Sequence, residues 1–163
     1  MSDFDTDLEA AEEALRAAAH AKDTKARLKA LHHFMNALKR CAQMVYAGTA
    51  TWSEALPWAV RNAATMIQAR DAIADWSANM GDVFFGGSEE ECEIALERRS
   101  KLQLALDLFR QTEAAEWLVG MTSEEVERDY HDRAIDHDLV APDWVPRSHT
   151  WWMWKDSAGG ELV

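Results

Sequence analysis

The chain has 163 residues, 29 of them acidic and 17 basic, for a formal net charge of −12. One domain of this size buries roughly two-thirds of the surface its unfolded form exposes. Its field repels nucleic acid and anionic lipid, so neither direct nucleic-acid binding nor a membrane partner is expected.

The two cysteines, Cys41 and Cys92, lack the CxxC spacing of a zinc or redox site and are expected to be reduced and packed. The acidic start, Met1 to Glu13, has no basic region leading into an apolar one, so no signal peptide is expected. No apolar run reaches bilayer-spanning length. These features point to a soluble cytoplasmic protein, and no cofactor motif is present.

In chain order, Leu8, Ala11, Leu15 and Ala18 fall on one face of a first helix, from Asp5 or Thr6 to Ala21. A break at Lys22-Asp23-Thr24 leads to a second helix. Its seam is Leu28, Leu31, Met35, Leu38, Ala42 and Val45, and Gly48 is placed to end it. Thr51-Trp52-Ser53-Glu54 has the form of a capping box, while Pro57 moves the regular start of the third helix to near Leu56. Val60, Ala63, Ile67 and Ala74 should line one side of this helix as far as Asn79. A glycine-bounded loop, Gly81 to Gly87, follows.

Ser88 caps a fourth helix with Glu89, Glu90 and Glu91 in its first turn, where the helix dipole favours negative charge. From Leu102 to Phe109 its apolar side chains point in nearly every direction, so it should be central and run to Gly120. A fifth helix runs from Ser123 to about His137, with Val126, Tyr130 and Ala134 on its buried side. The fold class is all-α: a bundle of about five helices over residues 1–141, then an irregular Trp-rich segment over 142–163.

That segment holds Trp144, Trp151, Trp152 and Trp154, four of the eight tryptophans. Indoles of this density either seal a core or grip another protein. In an extended chain Trp152 and Trp154 would share one side, opposite Trp151 and Met153.

Glu125, Asp129, Asp132 and Asp136 fall within about a 60° arc of the fifth helix, as 100° per residue dictates. They are the candidates for holding a hard cation, although a solvated face is the expectation and no metal is expected. His20, His32, His33 and His149 are scattered, with no serine or cysteine that sequence places beside them. Helix two carries Lys22, Lys25, Lys29, Lys39 and Arg40 beside His32, His33 and Asn36; Glu9, Glu12 and Glu13 of the first helix are the expected partners.

Glu89-Glu90-Glu91-Cys92-Glu93 fits an EExxE pattern and resembles the all-α nucleotide pyrophosphohydrolases of the MazG and dimeric dUTPase type. That resemblance implies Mg²⁺-dependent hydrolysis of nucleoside triphosphates. The chain departs from the pattern in the second motif: Glu113 and Glu116 carry Glu where the family has Asp, and Glu125 with Asp129 is one residue too wide.

The favoured reading is a non-catalytic, acidic protein that binds a basic surface on another protein through Glu89, Glu93, Glu97 and the tail tryptophans. Anti-CRISPR and DNA-mimic inhibitors carried by phages and mobile elements are analogous as a class. The alternatives are the Mg²⁺-dependent hydrolase and a self-associating assembly subunit, for which a homo-oligomer is the partner.

Overall fold

The computed structural model describes residues 2–78 and 88–154, and over them the fold is all-α. Seven α-helices occur among the described residues: α1 (Asp3–His20), α2 (Thr24–Tyr46), α3 (Leu56–Gln68), α4 (Arg70–Ala78), α5 (Glu89–Phe109), α6 (Ala115–Val119) and α7 (Glu124–Asp136). The expected loop Gly81 to Gly87 and the glycines 159 and 160 lie outside them.

α1 and α2 form an antiparallel hairpin, as the Arg40 to Asp7 ion pair at 2.8 Å across it requires. The Ser2 hydroxyl accepts the Asp5 N–H, which starts α1 earlier than the apolar spacing suggests. Leu8, Ala11, Leu15 and Ala18 are all buried, with Phe4 one turn ahead. Asp23 caps α2, and Gly48 follows it at φ +80°, a conformation that costs a side chain about 1–2 kcal/mol. The buried stripe of α2 is wider than the expected seam. It gains Phe34, Ala37 and Cys41, whereas Leu28 and Val45 are only half-buried.

Glu54 accepts the Thr51 N–H at 2.8 Å and fixes a 3₁₀ turn over Trp52–Ala55. α3 then begins at Leu56 with Pro57 in its first turn, where a missing N–H costs nothing. The expected single third helix is two. A turn at Ala69 separates α3 from α4; Trp58, Ala59, Asn62, Ala63 and Met66 carry the contact of α3, whereas Val60 on α3 and Ala74 on α4 are exposed.

α5 packs against α2, α3, α6 and α7, and its side chains are buried on every side from Arg99 to Leu102 and again from Leu104 to Leu106. It ends at Phe109 rather than Gly120. Thr112 stops it: its hydroxyl donates to the Phe109 carbonyl at 2.7 Å and accepts the Ala114 N–H, which gives the backbone an alternative to the next helical turn. These two breaks turn an expected five helices into seven.

α7 ends through Asp138 at φ 55°, which returns Leu139 to the core. The chain then wraps across the bundle. The Ala141 N–H bonds the Met153 carbonyl and the Met153 N–H bonds the Leu139 carbonyl, so the two ends of the wrap are tied together. Both cysteines are buried thiols outside any disulfide.

Candidate functional site

Arg99, Ser100 and Lys101 interrupt the apolar surface of α5 at its middle, and all three are buried. Burying such groups is costly unless each finds a partner. Lys101 donates to Asn36 Oδ1 at 3.1 Å, with its pKa lowered by burial. Arg99 donates through Nη2 to Gln103 Oε1 at 3.0 Å and to Glu127, and its guanidinium lies over the Trp151 ring at 4.1 Å. Burial lowers the Arg99 pKa, and the bond to Glu127 opposes that shift.

Ser100 is a hub for the C-terminal wrap. Its Oγ accepts the Trp152 indole N–H at 2.8 Å and the Trp151 indole N–H at 3.2 Å, and it lies 2.9 Å from His149 Nδ1. A hydroxyl has two lone pairs and one hydrogen, and an indole can only donate. Both lone pairs are therefore occupied, and the hydroxyl hydrogen must go to His149. This fixes the imidazole as neutral, with Nδ1 accepting and the proton on Nε2. Burial, then the Arg99 charge, push the His149 pKa down to about 3. The His149 ring stacks on Trp151 with centroids 4.7 Å apart.

A serine beside a histidine suggests a nucleophile, but Ser100 has no exposed surface, and the two indoles occupy the lone pairs that would attack. The pair is an anchor. Sequence placed no serine near His149; the contact spans 49 residues and follows no local pattern. The one legible signal was Arg99-Ser100-Lys101 directly before the apolar run Leu102 to Phe109.

Trp144, Trp151 and Trp152 are buried and Trp154 is half-buried. Trp151 and Trp152 reach the same hydroxyl, so they do not alternate as they would in an extended strand; turns and bends at Thr150 to Trp152 bring both inward. Lys39 Nζ sits 5.2 Å from the Trp144 ring centre, and the Trp154 indole donates to the His149 carbonyl at 3.1 Å. Beside this anchor is a cleft of about 530 Å³, walled by Trp52, Arg99, Arg110, Glu127, His149 and Trp151 among others.

The predicted acidic residues take a different environment. Glu89 and Glu93 are exposed, and Glu97 is half-buried near Lys101. Glu125, Asp132 and Asp136 are exposed, and Asp129 lies 3.9 Å from Arg133. α5 and α7 pack, and Cys92 on α5 lies in the field of Arg133, Asp129 and Asp136 of α7 as well as of Glu91. No three Asp, Glu, His or Cys side chains among the described residues are grouped so as to hold a metal ion. On helix α2, Arg40 pairs with Asp7 rather than with the expected Glu9, Glu12 or Glu13, and Glu12 instead faces Arg16 and Arg61.

Comparison with models of known protein families, with curated proteins and with solved structures gives no match. No helix among the described residues is long and apolar enough to cross a membrane.

Proposed function

We propose that this protein is a non-catalytic, cytoplasmic binding protein that presents an acidic surface, from the start of α5 and the outer face of α7, to a basic surface on another protein. The observation that carries this reading is how unevenly the charges are paired. Arg16, Arg40, Arg61, Arg99, Arg110 and Arg133 are in ion pairs inside the chain, although Lys22, Lys25 and Lys29 are in none among the described residues. By contrast, Glu89, Glu90, Glu93, Glu125, Asp132 and Asp136 make no ion pair among the described residues. Like charges gathered this way cost stability, and a cationic partner would relieve the cost.

A protein that occupies a nucleic-acid channel by mimicking phosphate charge would have this distribution, as DNA-mimic and anti-CRISPR inhibitors do. Trp144, Trp151 and Trp152 are buried, so this reading leaves them out of the surface.

The test is affinity capture from the native host followed by titration of the isolated pair with salt. A basic partner whose affinity falls steeply with ionic strength fits the reading. A partner without a basic surface, or one held equally well at high salt, contradicts it, as does nucleoside triphosphate turnover that requires Mg²⁺.

A further inference from the structure

A groove of about 410 Å³ runs between α1 and α2, and among the described residues these two helices alone line it. Ala10, Ala14 and Ala17 of α1 and Ala26 and Ala30 of α2 supply its apolar surface, and Ala10, Ala17 and Ala26 are exposed. Its charged groups differ in sign by helix: Glu13 comes from α1 and Lys29 from α2, with His33 one turn further on. Both are exposed, and neither is in an ion pair among the described residues. The same holds for Glu9 and Lys25, one turn before them.

We propose that this groove is the interface of a two-fold homodimer, in which α1 of each copy lies over α2 of the other. Charge selects the occupant. An acid on one helix and a lysine on the other complement a second copy of the same groove, whereas a uniformly acidic or basic partner would meet like charge on one side. A chain of net charge −12 can also approach its own copy only through a face that is locally balanced. Charge selects the orientation too. A two-fold axis along the helices sets Glu13 of one copy against Lys29 of the other, and symmetry makes that contact twice. An axis across the hairpin would set Glu13 on Glu13 and Lys29 on Lys29. The alanines let the facing helices approach to about 8 Å, as in a four-helix bundle. Their burial supplies the contact, and the ion pairs set its register, since exposed pairs contribute little by themselves.

Sedimentation equilibrium of the full chain, from micromolar to near-millimolar concentration, reads the mass. A rise with concentration from 18.4 kDa toward twice that value is expected. Glu13→Lys and Lys29→Glu should each weaken association about tenfold or more, because each puts like charge at both symmetric contacts. Mixed in equal amounts, the two variants should recover it as a heterodimer, which also shows that both fold. Ala17→Gln with Ala26→Gln keeps good helix formers at exposed positions while filling the groove, and should abolish the dimer. A mass of one chain at every concentration overturns the proposal, and so does a mixture of the charge variants that stays monomeric. A dimer that neither the charge changes nor the glutamines weaken lies elsewhere on the molecule and overturns it equally. Charge reversal at Glu89 and Glu93 should leave the mass unchanged, so failure here and failure of the acidic-surface reading are separable.

Discussion

The tryptophan-rich wrap and the acidic face of α5 and α7 are the two most conspicuous features of this sequence, and the fold treats them in opposite ways. Three of the four clustered indoles are buried, two of them on one serine hydroxyl. Most of the carboxylates, Glu89, Glu93, Glu125, Asp132 and Asp136, are exposed. A tryptophan cluster is suited to either core or interface, and what decides is whether a hydrogen-bond acceptor awaits the indoles inside. Ser100 provides it. Among the carboxylates, Asp129 lies near Arg133 and Glu97 near Lys101, while Glu89, Glu93, Glu125, Asp132 and Asp136 stay exposed.

The sharpest way to break this contrast is to remove the wrap. A chain ending at Thr150 loses Trp151, Trp152 and Met153 from the core, each worth roughly 1.5–3 kcal/mol. Denaturant titration should show a loss of several kcal/mol. An unchanged midpoint would mean that the wrap is an appendage.

Ser100→Ala should come next. It removes the acceptor of two indoles and the donor to His149 and leaves buried groups unpaired, at about 2–5 kcal/mol in total. The same denaturant titration measures it, and a loss below about 1 kcal/mol would contradict the hub.

The acid side of the stability profile sharpens the comparison further. An unfolded chain protonates His149 near pH 6.5, whereas the folded chain resists down to about 3. Below pH 6.5 the unfolded state binds the extra proton. Stability from this group is therefore complete above that pH and declines as pH falls toward 3, by up to about 1.4 kcal/mol per unit. His149→Asn should lack this part of the slope, and parallel stability curves for the two proteins would show that His149 does not carry it.

The smallest effect belongs to the acidic face. Asp132→Asn with Asp136→Asn should change stability by no more than about 0.5 kcal/mol, in the stabilising direction if like-charge repulsion dominates. Charge reversal at Glu89, Glu93 and Glu97 should slow association with a captured partner far more than it speeds dissociation. A purely dissociative effect, read by surface plasmon resonance, would mean short-range contact rather than long-range attraction.

Much of the helical order was legible because it rests on local chemistry. The α1 face follows from apolar spacing, the start of α3 from Thr51, Glu54 and Pro57, and the start of α5 from Ser88. The two missed breaks carry no proline or glycine. One sits at Ala69, and the other depends on a Thr112 hydroxyl that bonds its own backbone, a choice that composition does not reveal. The anchor was illegible for a different reason. Ser100, His149, Trp151 and Trp152 meet across about fifty residues, and nothing in a serine within a helix announces two indoles and an imidazole.

Hydrogen exchange at the Trp151 and Trp152 indole N–H groups, followed by NMR, tests the contrast most directly. If both donate to Ser100 within the core, they should exchange only through global unfolding, as slowly as the backbone amides at the centre of α5. Exchange on the timescale of an exposed indole, while the α5 amides stay protected, would show that the wrap opens on its own and that the two regions are not the opposites described above.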